Sequence, residues 1–182
     1  MRKAVIVFKS HYGFTKQYAQ WIAEELGAEV RETSKTKPDD LAKFDVIIFG
    51  GGLYAGGVSG ISLLTKAFPS IKHKALFLFT VGAADVEDER NIRNIRTGLG
   101  KTLTSEMQSR IQIFHLRGGM DYKRMSFVHR TMMSMMISSL KKKPECDRTS
   151  EEHLMLETYG QRVDFTDRTT IAPLVDAVRS ST

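Results

Sequence analysis

The feature that most restricts how this chain can fold is a series of short apolar runs in the first two thirds of the sequence. Four of them are nearly continuous rather than alternating, and they lie at Ala4–Phe8, Val46–Phe49, Ala75–Val81 and Ile111–Leu116. Such runs are typical of strands that are buried on both faces of a parallel sheet. A fifth segment, Ala28–Glu32, is shorter and more polar, as expected of an edge strand. The sequence therefore predicts a parallel sheet of five strands.

Helix-spaced apolar stripes lie between most of these strands. They comprise Tyr18, Ala19, Ile22, Ala23 and Leu26, then Leu63, Leu64, Ala67 and Phe68, and finally Ile92, Ile95, Leu99 and Leu103. We expect the first helix to end at Gly27 and the second at Pro69. Strands that alternate with helices favour right-handed βαβ crossovers, so the predicted fold is a doubly wound α/β sheet with helices on both faces.

After Leu116 this alternation is interrupted. Apolar residues three or four apart predict one Met-rich helix, and they are Met125, Val128, Met132, Met136 and Leu140. The polar segment Cys146–Gln161 is predicted to be a loop, and a short extended piece at Val163–Phe165 and a final helix at Ile171–Val178 follow it. We interpret residues 1–182 as a single α/β domain with an insertion near residues 117–161 before the last helix.

The net charge of +6 is concentrated in one part of this insertion. Between Arg117 and Lys143 the chain has seven basic residues and a single acidic residue, Asp121, so the remainder of the chain is neutral. A basic, Met-rich stretch is consistent with contact to an anionic partner, such as a lipid surface or an acidic ligand. The alternative is an ordinary covering helix that packs its stripe on the sheet and exposes its charges to solvent.

Cysteine content and apolar run lengths indicate the compartment. The chain has one cysteine, Cys146, no N-terminal secretory leader and no apolar run near the roughly 18 residues of a membrane span. We therefore expect a cytoplasmic protein that is at most peripheral on the inner face of the membrane. No His/Cys cluster has metal-ligand spacing and no nucleic-acid-binding module is recognisable, so neither a metal site nor a nucleic-acid partner is predicted.

The loop after the first strand has the character of an anion site. It reads Ser10, His11, Tyr12, Gly13, Phe14 and Thr15, and a helix begins within it. In doubly wound sheets, ligands bind beyond the carboxyl ends of the strands, where helix N-termini offer unpaired N–H groups to anions. The loop contains no Lys or Arg, so N–H dipoles and the hydroxyls of Ser10 and Thr15 would meet a phosphate.

Two more strand exits are rich in small residues. After the third strand, Gly50–Gly57 places glycines where backbone could approach a flat ring, with Tyr54 available to stack on it. The candidate residues there are Gly52, Leu53, Tyr54, Ala55 and Gly56, and those after the fourth strand are Val81, Gly82, Ala83 and Asp85. The alternative for the glycine-rich loop is a flexible turn with Tyr54 on the surface. Together the three exits predict a slot for a planar, phosphorylated ring.

The motif Ser10-x-Tyr12-Gly13-x-Thr15 resembles the flavodoxin phosphate-loop signature, T/S-x-T-G-x-T, although Tyr12 stands where Thr or Asn is commoner. The resemblance implies a flavodoxin-like, five-stranded parallel sheet with strand order 2-1-3-4-5. It also implies bound FMN, with the phosphate at Ser10–Thr15 and the isoalloxazine ring between Tyr54 and Gly82. The chemistry would then be that of the cofactor, and no catalytic side chain is predicted.

Within this superfamily, Gly50–Gly57 and the tail Val163–Asp167 resemble the branch that contains the quinone-dependent protoporphyrinogen dehydrogenase. In the insertion, Arg117, Tyr122, Arg124 and Phe127 are similar to residues of that branch. This resemblance implies an FMN oxidoreductase that acts on a porphyrinogen or a quinone, with Arg117–Lys143 as the docking surface. The alternative is a soluble FMN electron carrier that docks on protein partners, although the net charge of +6 is opposite to that of typical acidic carriers.

Overall fold

The computed structural model describes residues 3–54 and 57–181. Its strands are β1 (Ala4–Lys9), β2 (Glu29–Glu32), β3 (Val46–Tyr54), β4 (Gly57–Val58), β5 (Ala75–Gly82), β6 (Ile111–Arg117), β7 (Gly119–Asp121) and β8 (Arg162–Asp164). Its helices are α1 (Phe14–Leu26), α2 (Ile61–Ile71), α3 (Glu89–Gly100), α4 (Ser105–Arg110), α5 (Phe127–Lys142), α6 (Ser150–Glu157) and α7 (Ala172–Ser180).

The predicted α/β fold is confirmed. Five parallel strands pair in the order β2-β1-β3-β5-β6, which is the predicted order 2-1-3-4-5 once the short β4 is left out of the numbering. Sequence reasoning missed β4, which pairs antiparallel to the end of β3, with Leu53 opposite Val58. The Ser59 N–H also donates to the Gly52 carbonyl at 2.9 Å, so β4 is held against the carboxyl end of β3.

Helices cover both faces of the sheet. On one face, α1 and α7 bury side chains such as Tyr18, Ile22 and Leu174 against β1, β3 and β5. On the other face, α2 and α3 bury Leu64 and Leu99. The two apolar layers hold the strand ends in fixed register, and the loops that leave the carboxyl edge therefore start from a rigid base.

Two sequence predictions about helices are wrong. Pro69 does not end the second helix but lies inside α2, which continues to the fully buried Ile71. A proline inside a helix loses its N–H bond and crowds the carbonyl four residues earlier, and burial of Ile71 offsets this cost in the last turn. The segment predicted as a loop, Cys146–Gln161, contains α6, which begins with a capping box between Thr149 and Glu152.

The insertion between β6 and α7 contains β7, α5, α6 and β8. β7 pairs antiparallel with β8, with Met120 opposite Val163. The Tyr18 hydroxyl joins both ends of the insertion to α1, because it donates to the Arg117 carbonyl at 2.7 Å and accepts from the Asp167 N–H at 3.0 Å. The insertion leaves from the carboxyl end of β6 and thus lies at the same edge as the three candidate loops.

The Met-rich helix exists, but its stripe does not cover the sheet. Met125 is buried just before α5, whereas Val128 and Met132 are exposed. Within residues 3–54 and 57–181, no helix has the length and apolar character needed to cross a bilayer.

Candidate functional site

The Ser10–Thr15 loop leads into α1, and Gly13 at the junction has a left-handed backbone conformation. Gly13 has φ 103° and is the N-cap of α1, and its N–H donates to Ser10 Oγ at 3.0 Å. No side chain of the described residues caps the first turn of α1. The N–H groups at this helix start are therefore free for an anion, and the helix dipole favours negative charge at the same position.

The three candidate loops meet in a narrow cleft of about 30 Å³. Its lining comprises Ser10, His11, Tyr12, Phe14, Thr15, Gly52, Leu53, Tyr54, Val81, Gly82 and Gly119. The loops are in close contact, because a Cβ at Gly52 would lie 3.2 Å from Thr15 Oγ1 and a Cβ at Gly82 would lie 2.7 Å from Leu53 Cδ1. Five predicted residues do not line this cleft: Gly13 caps α1, Ala55 and Gly56 lie outside the described residues, and Ala83 and Asp85 belong to the loop after β5.

A second cavity of about 280 Å³ adjoins this cleft and shares Leu53 and Gly82 with it. Ala83 and Ala84 line one part, and the insertion supplies most of the rest with Met120, Tyr122, Leu154, Met155, Thr158, Val163 and Phe165. Sequence reasoning placed Met120 and Tyr122 in the docking surface Arg117–Lys143, and it did not identify the other insertion residues of this cavity as site residues. The cleft and the cavity together place a polar, uncapped helix start beside an apolar space.

Arg117 closes one end of the apolar cavity. Its guanidinium donates to Asp85 Oδ2 at 3.1 Å and to the Ala83 carbonyl at 3.4 Å, and it lies 4.4 Å from the centre of the Phe165 ring. Asp85, which sequence reasoning placed at the ligand, does not line either cavity and instead orients Arg117. The cavity is thus lined mainly by apolar side chains, and its charged lining residue is Arg117, which is paired with Asp85.

The Tyr54 side chain packs on two histidines of the protein. The His11 ring stacks on it at 4.3 Å between centroids, and Tyr54 Oη lies 2.8 Å from His129 Nδ1 in α5. Burial lowers the pKa of His11, and the nearby Lys9 and His129 lower it further. A neutral His11 can stack on Tyr54, and the contact with His129 ties the β3 loop to α5.

Tyr12 carries a buried hydroxyl that has no hydrogen-bond partner among the described residues. Burial, with a further contribution from the neighbouring Tyr54 hydroxyl, raises the pKa of Tyr12 to about 12, so the Tyr12 hydroxyl keeps its proton. A buried donor without a partner is costly unless a ligand or water accepts from it. Tyr12 therefore adds a candidate donor to the cleft, next to the free N–H groups of α1.

The residues present fit a ligand with an anionic group and a flat apolar ring. The start of α1, Ser10 and Thr15 supply donors for the anion, and the Tyr12 hydroxyl is an unsatisfied donor beside them. The adjoining cavity has an apolar lining and the charge of Arg117. A larger cavity of about 550 Å³ at the ends of β1 and β2 shares only Ser10 with the predicted site residues, so the site is assigned to the cleft and its neighbour.

A half-buried histidine, His115, lies on β6 opposite Thr80 of β5. Thr80 Oγ1 and His115 Nδ1 are 2.7 Å apart, and His115 Nε2 is buried with no partner among the described residues. Burial lowers the pKa of His115 to about 4, with a further contribution from Arg96. The folded protein thus holds a neutral imidazole that the unfolded chain protonates below about 6.5.

We expect the free energy of unfolding to fall by about 1 kcal/mol as the pH decreases from 7 to about 4.5, allowing for solvent screening. In this range the unfolded chain binds a proton at His115 that the folded protein does not, so acid favours unfolding. Urea unfolding at several pH values measures the effect, and His115→Gln should flatten it. His73→Gln, at an exposed histidine, is the matched control. Equal pH slopes for His115→Gln and the wild type would contradict this account.

Comparisons with known proteins come from sequence and from structure. A family model described as "Flavodoxin domain" matches residues 5–147. An uncharacterised protein of Methanocaldococcus jannaschii is 42% identical over 55 residues, a match that spans 30% of this chain and 37% of the relative. The chain thus covers little more than a third of that relative.

Two solved structures are similar in fold. The two-electron reduced flavodoxin of Megasphaera elsdenii is 18% identical, with 63% of this chain and 84% of that chain covered and a TM-score of 0.44. A flavoprotein of Lactobacillus acidophilus in complex with FMN is 15% identical, with 64% and 93% covered and a TM-score of 0.42.

Proposed function

This chain belongs to the flavodoxin domain family of FMN-binding flavoproteins, and we propose that it holds FMN at the carboxyl edge of its sheet and transfers electrons through it. One observation carries the proposal. The uncapped start of α1 opens into a cleft that shares Leu53 and Gly82 with an apolar cavity of about 280 Å³. A phosphate and a flat ring on one ligand need these two environments side by side.

The Ser10–Thr15 loop would hold the phosphate. The free N–H groups at the start of α1 would donate to the phosphate oxygens, and the hydroxyls of Ser10 and Thr15 would be further donors. The loop has no Lys or Arg. Hydrogen bonds to charged oxygens are about twice as strong as neutral ones, which offsets the missing cation. The protonated Tyr12 hydroxyl would add a further donor.

The apolar cavity would hold the isoalloxazine ring. When bound, FMN supplies hydride and single-electron transfer, chemistry that no side chain of the protein provides. The chain would orient the ring between Leu53 and the Gly82–Ala84 backbone, and Phe165 would help to exclude water. Arg117 would supply N–H donors in the cavity lining, and its ion pair with Asp85 would hold the guanidinium in place.

His11, Tyr54 and His129 would act as positioning residues. The stack of His11 on Tyr54 fixes the two loops against each other, and the contact to His129 Nδ1 holds α5 beside them. None of these side chains needs to exchange a proton for electron transfer. Their role is to keep the cleft closed around its polar donors.

We further propose that the protein is an oxidoreductase that accepts electrons from a porphyrinogen or delivers them to a quinone. The insertion supplies one wall of the cofactor cavity itself, with Leu154, Met155 and Phe165. A substrate that reaches the ring would contact this wall, and flexible Met side chains adapt to irregular apolar ligands. The net charge of +6 and its concentration in the insertion suit a carboxylate-bearing porphyrinogen. A soluble electron carrier is the alternative.

Anaerobic oxidation of protoporphyrinogen by the FMN-loaded protein, with a quinone as acceptor, separates these two functions. We expect turnover that depends on both the protein and the quinone, because free FMN lacks the apolar wall and Arg117. Free FMN at the same concentration is the control. Absence of turnover, together with rapid electron exchange with a flavodoxin reductase, would assign the protein to the carriers instead.

A further inference from the structure

The α5 helix exposes an apolar face that the rest of the protein does not cover. Phe127 is 83% exposed, and Val128, Met132, Met135 and Met136 are between 37% and 64% exposed. Ile137 is the buried residue of this helix. Exposed apolar groups on adjacent helical turns form one patch, and a patch of this kind marks an interaction site.

Basic residues flank this apolar face at both ends of α5. The chain has no acidic residue from Tyr122 to Pro144, and it carries Lys123, Arg124 and Arg130 near the start of α5 and Lys141, Lys142 and Lys143 at its end. Lys143 pairs with Glu152 at 2.8 Å. The two arginines donate to uncharged backbone carbonyls, and among the described residues Lys123, Lys141 and Lys142 form no ion pair.

We propose that α5 binds the surface of an anionic lipid bilayer. Its apolar side chains would enter the boundary between headgroups and acyl chains, and the basic residues at both helix ends would contact lipid phosphates. This combination of an apolar face, basic flanks and no acidic residue is typical of helices that lie in the plane of a membrane interface. It is independent of bound FMN.

A second copy of the chain is a poor match for this face. Association of two copies through α5 would bring the same unpaired lysines together, and like charges repel at short range. Interfaces between proteins are also depleted of Lys, in contrast to the ends of α5. Charge complementarity therefore favours lipid phosphate as the partner.

Because α5 contacts the loops of the cofactor site, binding of α5 to a membrane would bring that site to the membrane surface. This step rests on the proposed function. His129 Nδ1 is 2.8 Å from Tyr54 Oη, and Arg124 Nη1 donates to the Tyr12 carbonyl at 3.1 Å. A bilayer contacted by Phe127 would lie close to these loops. The site would then face electron partners that are dissolved in the membrane.

Flotation with lipid vesicles tests the proposal on the full chain, with and without FMN. Vesicles of phosphatidylcholine and phosphatidylglycerol at a ratio of about three to one supply the anionic surface. We expect the protein to float with them in both states, and to float much less with pure phosphatidylcholine or at high salt. The double variant Phe127→Ser/Met135→Ser should lower the partition coefficient about tenfold, and Lys141→Ser/Lys142→Ser should lower it on anionic vesicles only.

Val30→Ser is the matched control, because Val30 is an exposed apolar residue on the edge strand β2, away from α5. Circular dichroism and FMN affinity without vesicles should be unchanged in the α5 variants, which separates loss of docking from loss of the fold or of the cofactor site. A wild-type protein that stays with the buffer fraction overturns the proposal. So does a protein that dimerises through α5 and ignores vesicles.

Discussion

Replacement of Gly13 by valine should weaken FMN binding about 100-fold, or roughly 2.7 kcal/mol, and weaken riboflavin binding only a few-fold. Gly13 has φ 103°, a conformation that a β-branched residue adopts only with strain. Relief of that strain would turn the loop and move the free N–H groups of α1 away from the phosphate. Riboflavin has no phosphate, so it does not use these donors. Fluorescence titration with both ligands measures the difference.

Gly27→Val is the matched control for this substitution. Gly27 is at the other end of α1, also has a positive φ of 61°, and like Gly13 has open space where a Cβ would be placed. Both substitutions therefore add backbone strain without a clash, and both should lower stability. Only Gly13→Val should change FMN affinity. Equal losses for FMN and riboflavin with Gly13→Val would place the phosphate elsewhere.

Replacement of Arg117 by methionine should weaken FMN and riboflavin binding equally, by about 30-fold or roughly 2 kcal/mol. Arg117 holds Asp85 and the Ala83 carbonyl on one side and the Phe165 ring on the other, and it lines the apolar cavity. Its loss breaks the contacts that hold the loop after β5 and removes the guanidinium from the cavity lining. Both ligands carry the same ring, so both should lose affinity to the same extent.

Arg90→Met controls for the loss of an arginine that pairs with an aspartate, because Arg90 pairs with Asp88 at the exposed start of α3. We expect unchanged affinity for both ligands in that variant. Titration calorimetry of Arg117→Met with the two flavins reads out the effect directly. A loss confined to FMN would mean that Arg117 contacts the phosphate and that the ring does not occupy the cavity.

The parts of the fold that sequence could predict are those set by local patterns. Continuous apolar runs such as Val46–Phe49 require burial on both faces, and the predicted sheet follows from that. The Ser10–Thr15 loop could be predicted as a candidate anion site because Gly13 and the start of α1 are adjacent in sequence. The prediction that the second helix ends at Pro69 is wrong, because the helix continues to Ile71, whose burial comes from tertiary packing.

The apolar cavity could not be predicted, because its walls come from distant segments. Leu154 and Met155 reach it from α6, a segment whose polar composition favours a loop. The spacing of Thr149 and Glu152, however, fits a capping box and is a sequence signal for the start of this helix. The position of Asp85 after β5, at the carboxyl edge of the sheet, predicts a ligand-binding residue, but Asp85 pairs with Arg117. Its pairing with Arg117 depends on the register between β5 and β6, which only the fold reveals.

The visible absorption spectrum of the protein after incubation with FMN and gel filtration tests the central claim most directly. We predict a yellow protein peak with the bands of oxidised flavin and one FMN per chain, since the free amides of α1 and the cavity beside Leu53 suit the two ends of that molecule. A folded but colourless peak, with all FMN eluting separately, would contradict the account.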